Sequence, residues 1–200
     1  MKTIRLGRTN ITVNFNGFGA LPVQRVSLET AAAILRRAYE GGINYFDTAN
    51  MYSDSEEKLG LALKDVREKV IISTKSAATD KQGAMAHIEN SLRHLGYIDL
   101  FQFHNPAVLP DISDPNGAFA AALEMQQKGY IRHIGITNHR PGVARAAIES
   151  GNFETLQFPF CYLATDQDLA LVQKCKDANM GFIAMKALSG GLITNSAAAY

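Results

Sequence analysis

The sequence repeats one pattern of hydrophobicity seven times, and this repeat limits the folds that the chain can adopt. Each repeat begins with a run of apolar, β-branched or aromatic residues and continues into a longer amphipathic segment. The runs begin near Gly17, Ile43, Val70, Ile98, Ile131, Thr155 and Gly181. Their starts lie 24 to 33 residues apart, about 27 on average. Runs with so few polar interruptions predict strands that are buried on both faces, as in a parallel sheet covered by helices.

The segments between the runs carry the signals of helices. Ser27 stands where a helix N-cap is expected, before the segment LETAAAILRRAYEGG, and Gly41 and Gly42 are placed to end that helix. We predict further helices after Ser53, within GAMAHIENSLRHLG, and over 117–128, 141–150 and 166–179. Strands that alternate with helices through right-handed crossovers predict an α/β fold, either a doubly wound sheet or a (β/α)8 barrel.

The number of repeats bears on the choice between these two folds. A repeat of about 27 residues puts an eighth strand near position 208, whereas the sequence ends at Tyr200, inside the segment LITNSAAAY that should form the seventh helix. A (β/α)8 barrel therefore implies that the last unit is absent, while a doubly wound sheet could end after any strand. Because no linker or low-complexity tract divides the chain, we expect one domain over 1–200. Its open barrel edges would allow self-association.

Composition excludes several classes of protein. The chain is 46% hydrophobic and 20% charged, and its formal net charge of +1 provides no broad basic surface for nucleic acid or for an anionic membrane. Cys161 and Cys175 lack the spacing of metal or redox sites, so we expect free thiols and no metal centre. The first residues run into no long apolar segment, which favours a cytoplasmic protein.

Polar residues recur where the predicted strands end. The second strand ends in Asp47 with Tyr52 in the loop that follows, the third ends in Lys75, and the fourth ends in His104. The later strands and their loops contribute Thr137, Asn138, Gln157, Ser189, Gly190 and Gly191. Active sites of (β/α)8 barrels lie at this end of the strands. We therefore expect one pocket, with the Lys75 nitrogen about 3–4 Å from an oxygen of Asp47 or Tyr52.

Each of these residues also has an ordinary structural alternative. Asp47 could cap the following helix, and Lys75 could lie in solvent at the end of its strand. His104 could hydrogen-bond within a turn, and Gln157 could satisfy a neighbouring backbone group. Their recurrence at equivalent positions of consecutive units favours a shared function, because buried polar groups cost free energy unless they are paired.

Tyr, Lys, Asp and His side chains together suit the protonation of a carbonyl oxygen. A tyrosine must lose about three pKa units to exchange its proton easily near neutral pH, and a neighbouring Lys ammonium held by an Asp favours the tyrosinate. A neutral His can orient the carbonyl oxygen. The carbonyl carbon must receive a hydride, which requires a nicotinamide cofactor because no side chain can donate one. Hydroxyl and amide groups for the nicotinamide carboxamide would come from Thr137, Asn138 and Gln157.

Six segments, taken in order, resemble the aldo-keto reductase family. They are FDTANMYSDSEEKLGLAL, VIISTKS, IDLFQFHNP, IRHIGITNH, TLQFPF and GFIAMKALSGGLI. The resemblance implies a (β/α)8 TIM barrel and an enzyme that reduces an aldehyde or ketone to an alcohol with NADPH, NADH not being excluded. It implies that Tyr52 is the general acid and that Lys75 tunes it. Asp47 would then hold Lys75, and His104 would orient the substrate carbonyl.

The same resemblance implies the residues that hold the cofactor. The pyrophosphate would be bound by Ser189, Gly190 and Gly191, and the carboxamide by Thr137, Asn138 and Gln157. Met185 stands where many members stack a tyrosine on the nicotinamide, and its thioether can cover the ring with a less defined geometry. The forms AMKALSGG, QFHNP and GITNHR are similar to a bacterial branch whose longer members carry a ferredoxin-like tail. Two alternatives to an active reductase are a nicotinamide-binding regulatory module and an inactive truncated fragment.

Overall fold

A parallel sheet of seven strands forms the centre of the computed structural model, which describes residues 2–188 and 193–195. A short antiparallel hairpin, β1 (Thr3–Arg5) and β2 (Thr12–Asn14), precedes the sheet. The strands of the sheet are β3 (Phe18–Gly19), β4 (Tyr45–Asp47), β5 (Ile71–Ser76), β6 (Ile98–His104), β7 (Ile131–Thr137), β8 (Thr155–Pro159) and β9 (Gly181–Met185). Five of these seven strands, β4 to β8, are mostly buried segments that coincide with predicted apolar runs.

Helices connect the strands and cover the outer face of the sheet. They are α1 (Leu28–Glu40), α2 (Ser55–Ala62), α3 (Lys81–Leu95), α4 (Ala118–Gln127), α5 (Pro141–Ser150) and α6 (Asp166–Asp177). The Ser27 side chain accepts a hydrogen bond from the Thr30 amide and so caps α1, as its position in the sequence predicts. Among the described residues, no helix has both the length and the apolar character needed to cross a membrane.

The order of the strands distinguishes the two predicted folds. A doubly wound sheet reverses its strand order at a switch point, whereas here each strand lies beside the next from β3 to β9 without reversal. This sequential parallel order is that of a (β/α)8 barrel, with seven of its strands in the described residues. Within 2–188 and 193–195, β3 and β9 pair with no strand on their outer edges. The seventh helix predicted over 192–200 lies largely outside the described residues.

Two local features of the N-terminal region differ from the sequence-based expectation. The first predicted strand shortens to the two residues of β3, because Pro22 lies in the 3-10 helix Leu21–Arg25 that follows and cannot donate to a strand ladder. The β1–β2 hairpin was not predicted, since strands of three residues are too short to show a periodic pattern. Its Leu6 and Val13 pack against Tyr45 and Leu100, so the hairpin covers the interior at the amino ends of the strands.

A buried ionic cluster stabilises the sheet near the amino ends of β5, β6 and β7. Asp99 on β6 is 0% exposed, and its carboxylate lies 2.9 Å from Nη2 of Arg67 and 2.8 Å from Nη1 of Arg132. It also accepts a hydrogen bond of 2.9 Å from the backbone amide of Ile72 on β5. The two guanidinium groups lie against the ring of Tyr97, at 3.7 Å and 4.3 Å from its centroid. One carboxylate thus joins β5, β6, β7 and the segment before β5.

We predict that Asp99→Ala lowers the free energy of unfolding by about 3 kcal/mol, because it leaves the largely buried guanidinium of Arg67 without its carboxylate. Chemical denaturation measures this loss. As a control, Asp65→Ala removes the exposed partner of Arg36 and should change stability by less than about 1 kcal/mol. Similar losses in the free energy of unfolding for the two variants would show that the buried cluster contributes no more to stability than the exposed ion pair.

Candidate active site

The four predicted catalytic side chains meet at the carboxyl ends of neighbouring strands. Asp47 is the last residue of β4, Lys75 lies near the end of β5, and His104 ends β6. Tyr52 lies in the short connection between β4 and α2. In the parallel register Asp47 pairs with Ser73 and Lys75 pairs with Gln102, so Lys75 and His104 each lie two residues further along their strands, on the same face as those partners. The structure therefore brings all four together on one side of the sheet.

An ion pair between Lys75 and Asp47 forms the base of this site. The Nζ atom of Lys75 lies 2.5 Å from Oδ2 of Asp47 and 2.5 Å from the carbonyl oxygen of Thr48. The Lys75 side chain is only 3% exposed, so its charge depends on these two acceptors for stabilisation. The expected contact between the Lys75 nitrogen and an Asp47 oxygen is present, and the alternative that Lys75 lies in solvent is wrong.

Tyr52 packs beside this ion pair and against His104. Its ring centroid is 5.2 Å from Nζ of Lys75 and 5.8 Å from the His104 ring, which it meets edge to face at 81°. Burial first, and then the charge of Asp47, raise the pKa of Tyr52 to about 12. This differs from the expectation that Lys75 lowers the pKa. The ammonium is paired with Asp47 and faces the ring of Tyr52, so it does not offset the burial of the hydroxyl.

The imidazole of His104 is held in its neutral form. Burial first, and then the nearby Lys75 ammonium, lower the pKa of His104 to about 4, although Asp47 acts in the opposite direction. Its Nδ1 atom is buried and makes no hydrogen bond with the described residues. At neutral pH His104 therefore presents one N–H donor and one acceptor, which is the form that can orient a neutral carbonyl group.

The residues predicted to bind the nicotinamide carboxamide lie on or directly after the next two strands. They differ in how many of their polar groups already make hydrogen bonds within the protein. Thr137 Oγ1 accepts a hydrogen bond of 3.0 Å from the Asn105 amide. Asn138 donates to the Pro106 carbonyl at 2.8 Å and accepts from the Arg140 amide at 2.8 Å, so it ties two loops together. Gln157 on β8 lies beside Thr137 in the register and is nearly buried.

Met185 is half-buried and is the last residue of β9. The predicted pyrophosphate residues Ser189, Gly190 and Gly191 lie outside the described residues. In the part of the chain that the structure describes, no group of three or more His, Cys, Asp or Glu residues could hold a metal ion. Cys161 and Cys175 are free thiols, and burial raises the pKa of Cys175 to about 12.

The fold of this chain matches that of a known protein family. The model of the "Aldo/keto reductase family" matches residues 14–199. The chain belongs to the aldo/keto reductase family. An aldo-keto reductase from Bacillus halodurans, solved in its holo form, superposes with a TM-score of 0.85 at 27% identity, over 98% of this chain and 69% of that chain. The sequence-based recognition of the family is thereby confirmed.

Curated family members share part of their length with this chain. An uncharacterised oxidoreductase of Bacillus subtilis is 28% identical over 176 residues, which cover 80% of this chain and 56% of the relative. A methylglyoxal reductase of Escherichia coli is 35% identical over 123 residues, which cover 59% of this chain and 44% of the relative. The chain thus spans about half the length of these two relatives.

Sequence reasoning missed two features of the candidate site in this aldo/keto reductase family member. Gln102 interrupts the apolar run of β6 two residues before His104, and an alternating strand puts both side chains on one face. That spacing was a signal for an interior residue, because a polar residue inside a buried strand needs a partner. Lys186 and His139 meet at the rim of the site, with 3.1 Å between Nζ and Nε2. Distant loops bring this second pair together, so no local pattern predicts it.

We predict that the His104 imidazole titrates near pH 4 when it is followed by NMR, because its burial disfavours the charged form. The variant Lys75→Met should raise this midpoint, since it removes a cation and leaves the carboxylate of Asp47 without its partner. The midpoint should still remain below the ordinary value of 6.5, because burial is the larger cause. Lys128→Met, an exposed control on the far side of the fold, should leave it unchanged. A midpoint near 6.5 in the unsubstituted protein would contradict the prediction.

Proposed function

We propose that the protein is an NAD(P)H-dependent oxidoreductase that reduces an aldehyde or ketone to an alcohol, with Tyr52 as the general acid. The observation that carries this proposal is the buried Lys75–Asp47 ion pair beside Tyr52, with the neutral His104 in edge contact with the same tyrosine. Membership of the aldo/keto reductase family supports the same reaction class.

Proton donation is the task that the chain's own residues perform in this reaction. A pKa of about 12 keeps Tyr52 protonated near neutral pH, which is the state that a proton donor needs. As the carbonyl carbon receives the hydride, the Tyr52 proton passes to the carbonyl oxygen and leaves a tyrosinate. The Lys75 ammonium, 5.2 Å from the ring centroid, stabilises that developing negative charge, and Asp47 keeps the ammonium in place. Solvent then returns a proton to Tyr52.

In this reaction, His104 orients the substrate. Its neutral ring can donate one hydrogen bond to the carbonyl oxygen without placing a second positive charge beside Lys75. The edge contact between His104 and Tyr52 sets the two groups at a ring distance of 5.8 Å, so one oxygen atom can approach both. The position of the hydroxyl and the imidazole then selects which face of the carbonyl group is reduced.

The residues present fit a nicotinamide cofactor. NADPH, when bound, supplies the hydride that no side chain can provide. Gln157 uses its Oε1 atom to accept a hydrogen bond from Gln102, and its amino group makes no hydrogen bond with the described residues, so that group is available for a carboxamide. We assign the carboxamide to Thr137, Asn138 and Gln157, and the ring face to Met185. Ser189, Gly190 and Gly191 are assigned to the pyrophosphate.

The charge at the rim of the site also supports a phosphorylated cofactor. Lys186 contacts His139, and Arg140 follows directly in the loop after β7. Nearby cations lower the pKa of His139 after the effect of burial, and no acidic side chain contacts Lys186 among the described residues. A diphosphate near this edge would meet uncompensated positive charge. The methylglyoxal reductase among the relatives favours a small aldehyde as the substrate class.

The proposed activity is tested on the protein expressed from its complete gene. NADPH oxidation is followed with a panel of small aldehydes and ketones, and NADPH affinity is measured separately by fluorescence. We expect saturable reduction of at least one carbonyl compound. Binding of NADPH without turnover of any compound would favour the regulatory-module alternative, and absence of both would contradict the proposed function.

We predict that Tyr52→Phe lowers kcat by about 10²–10⁴-fold, because it removes the proton donor in the transition state. The Kd for NADPH should change little, since the nicotinamide is assigned to other residues. Tyr130→Phe, a matched control at an exposed position before β7, should keep the original kcat. Near-normal turnover of the Tyr52 variant would remove this residue from the acid role.

The pH dependence of turnover provides a separate prediction. Reduction needs protonated Tyr52 and neutral His104, whose pKa values are about 12 and about 4. The rate should therefore fall only when Tyr52 loses its proton at high pH or His104 gains one at low pH. With saturating NADPH, kcat for reduction should stay constant between about pH 6 and about pH 10. A decline that begins near pH 7 would instead support a tyrosine with a lowered pKa.

A further inference from the structure

Gln102 is a fully buried amide at the centre of the sheet, directly below the proposed active site. It lies on β6 between Lys75 of β5 and Gly135 of β7 in the strand register. It is 0% exposed, and its side chain shares the inner face with that of His104. A buried amide is costly unless its hydrogen bonds are made, and here the amino group has partners while the buried Oε1 atom has none among the described residues.

The amino group of Gln102 lies between Asp47, beside the proposed proton donor, and Gln157, on the proposed cofactor side. Its Nε2 atom lies 3.4 Å from Oδ1 of Asp47, 2.8 Å from Oγ of Ser73 and 3.2 Å from Oε1 of Gln157. Oδ2, the other oxygen of Asp47, is the one that holds Lys75. A continuous line of polar contacts therefore runs from Lys75 through Asp47 and Gln102 to Gln157.

A glycine makes room for this line to cross β7. Gly135 lies between Gln102 of β6 and Thr155 of β8 in the register, whereas Gln157 is one pleat further along β8. A Cβ atom on Gly135 would come within 2.1 Å of Oγ1 of Thr155 and within 3.3 Å of the Leu100 side chain. Because position 135 has no side chain, Gln102 can contact Gln157 across the intervening strand.

We propose that Gln102 is a positioning residue that couples the proton-donating side of the site to the cofactor-holding side. The carboxylate of Asp47 can only accept hydrogen bonds, so it selects the orientation in which Gln102 presents its amino group. The same amino group then engages the oxygen of Gln157 and turns the amino group of Gln157 away from Gln102. Gln102 acts only through Asp47 and Gln157. The kinetic consequences of this proposal rest on the proposed function, whereas the hydrogen bonds of Gln102 are independent of it.

The principal test compares Gln102→Met, which keeps the volume and removes the donor, with the unsubstituted protein expressed from its complete gene. We expect the Kd for NADPH to rise about 3–10-fold, because one hydrogen bond to Gln157 is lost, and kcat to fall by a similar factor through Asp47. In a Gln157→Met background, Gln102→Met should leave the NADPH Kd unchanged. Full additivity of the two substitutions would overturn the coupling.

A pH profile separates positioning from simple packing. In Gln102→Glu, the introduced carboxyl group can donate a hydrogen bond only while it is protonated, and its ionised form repels Asp47. The kcat of this variant should therefore fall as the pH rises through the pKa of that group, a limb that the unsubstituted protein and Gln102→Met lack. Identical pH profiles for all three proteins would count against the proposal.

Two further measurements keep the proposal falsifiable. Thr155→Val is the matched control, because it alters a buried hydroxyl of the same layer that has no hydrogen-bond partner among the described residues, and it should not change kcat or Kd. In the protein without cofactor, Gln102→Met should move the side-chain NMR signals of Gln157, and Gln102→Asn, which retains an amide but is too short, should move them similarly. If the protein neither binds NADPH nor reduces carbonyls, the proposed function fails, and the NMR result alone decides the role of Gln102. Unchanged Gln157 signals would overturn that role.

Discussion

The burial of one ammonium group determines the arrangement of the carboxyl end of the sheet. Lys75 can remain charged there only because Asp47 and the Thr48 carbonyl accept its hydrogen bonds. Both acceptors come from the end of β4 and the residue after it, so this segment must run alongside the last residues of β5. Backbone hydrogen bonds from the Thr48 and Asn50 amides to the carbonyls of Ser73 and Lys75 continue this pairing beyond the strand. The loop that carries Tyr52 is thereby fixed against β5.

At the proposed active site, this arrangement pairs the charges of Lys75 and Asp47 and leaves Tyr52 and His104 uncharged near neutral pH. Burial works in opposite directions on the pKa values of Tyr52 and His104, raising the first and lowering the second, and in both cases it favours the uncharged form. A neutral phenol and a neutral imidazole can approach a neutral carbonyl group without a cost in charge repulsion. In the proposed reaction, the Lys75 ammonium interacts most strongly with Tyr52 after negative charge develops on the phenol oxygen.

Much of the fold could be predicted from the sequence because parallel strands buried on both faces leave a clear apolar signal. β5, β6 and β7 match their apolar runs closely, and the polar residues that end β4, β5 and β6 marked the candidate site. The β1–β2 hairpin could not be predicted, since its contacts with Tyr45 and Leu100 come from distant parts of the chain. The direction of the Tyr52 pKa shift was predicted wrongly for a related reason. The order of residues shows that a lysine is near, but not that its charge is already paired with Asp47.

Two buried carboxylates show how an ion pair that holds the sheet together differs from the ion pair at the proposed active site. Asp99 contacts two guanidinium groups and a backbone amide, so its oxygens are fully engaged among groups that hold the sheet together. Asp47 contacts one ammonium and the amino group of Gln102, and its neighbours are a phenol and an imidazole whose pKa values are strongly shifted. Both carboxylates have charged partners because a buried charge needs one. Sequence spacing alone does not show which of the two belongs to the candidate site. What distinguishes Asp47 is its place at the carboxyl end of the strands, beside titratable groups with hydrogen-bonding capacity still available to a ligand.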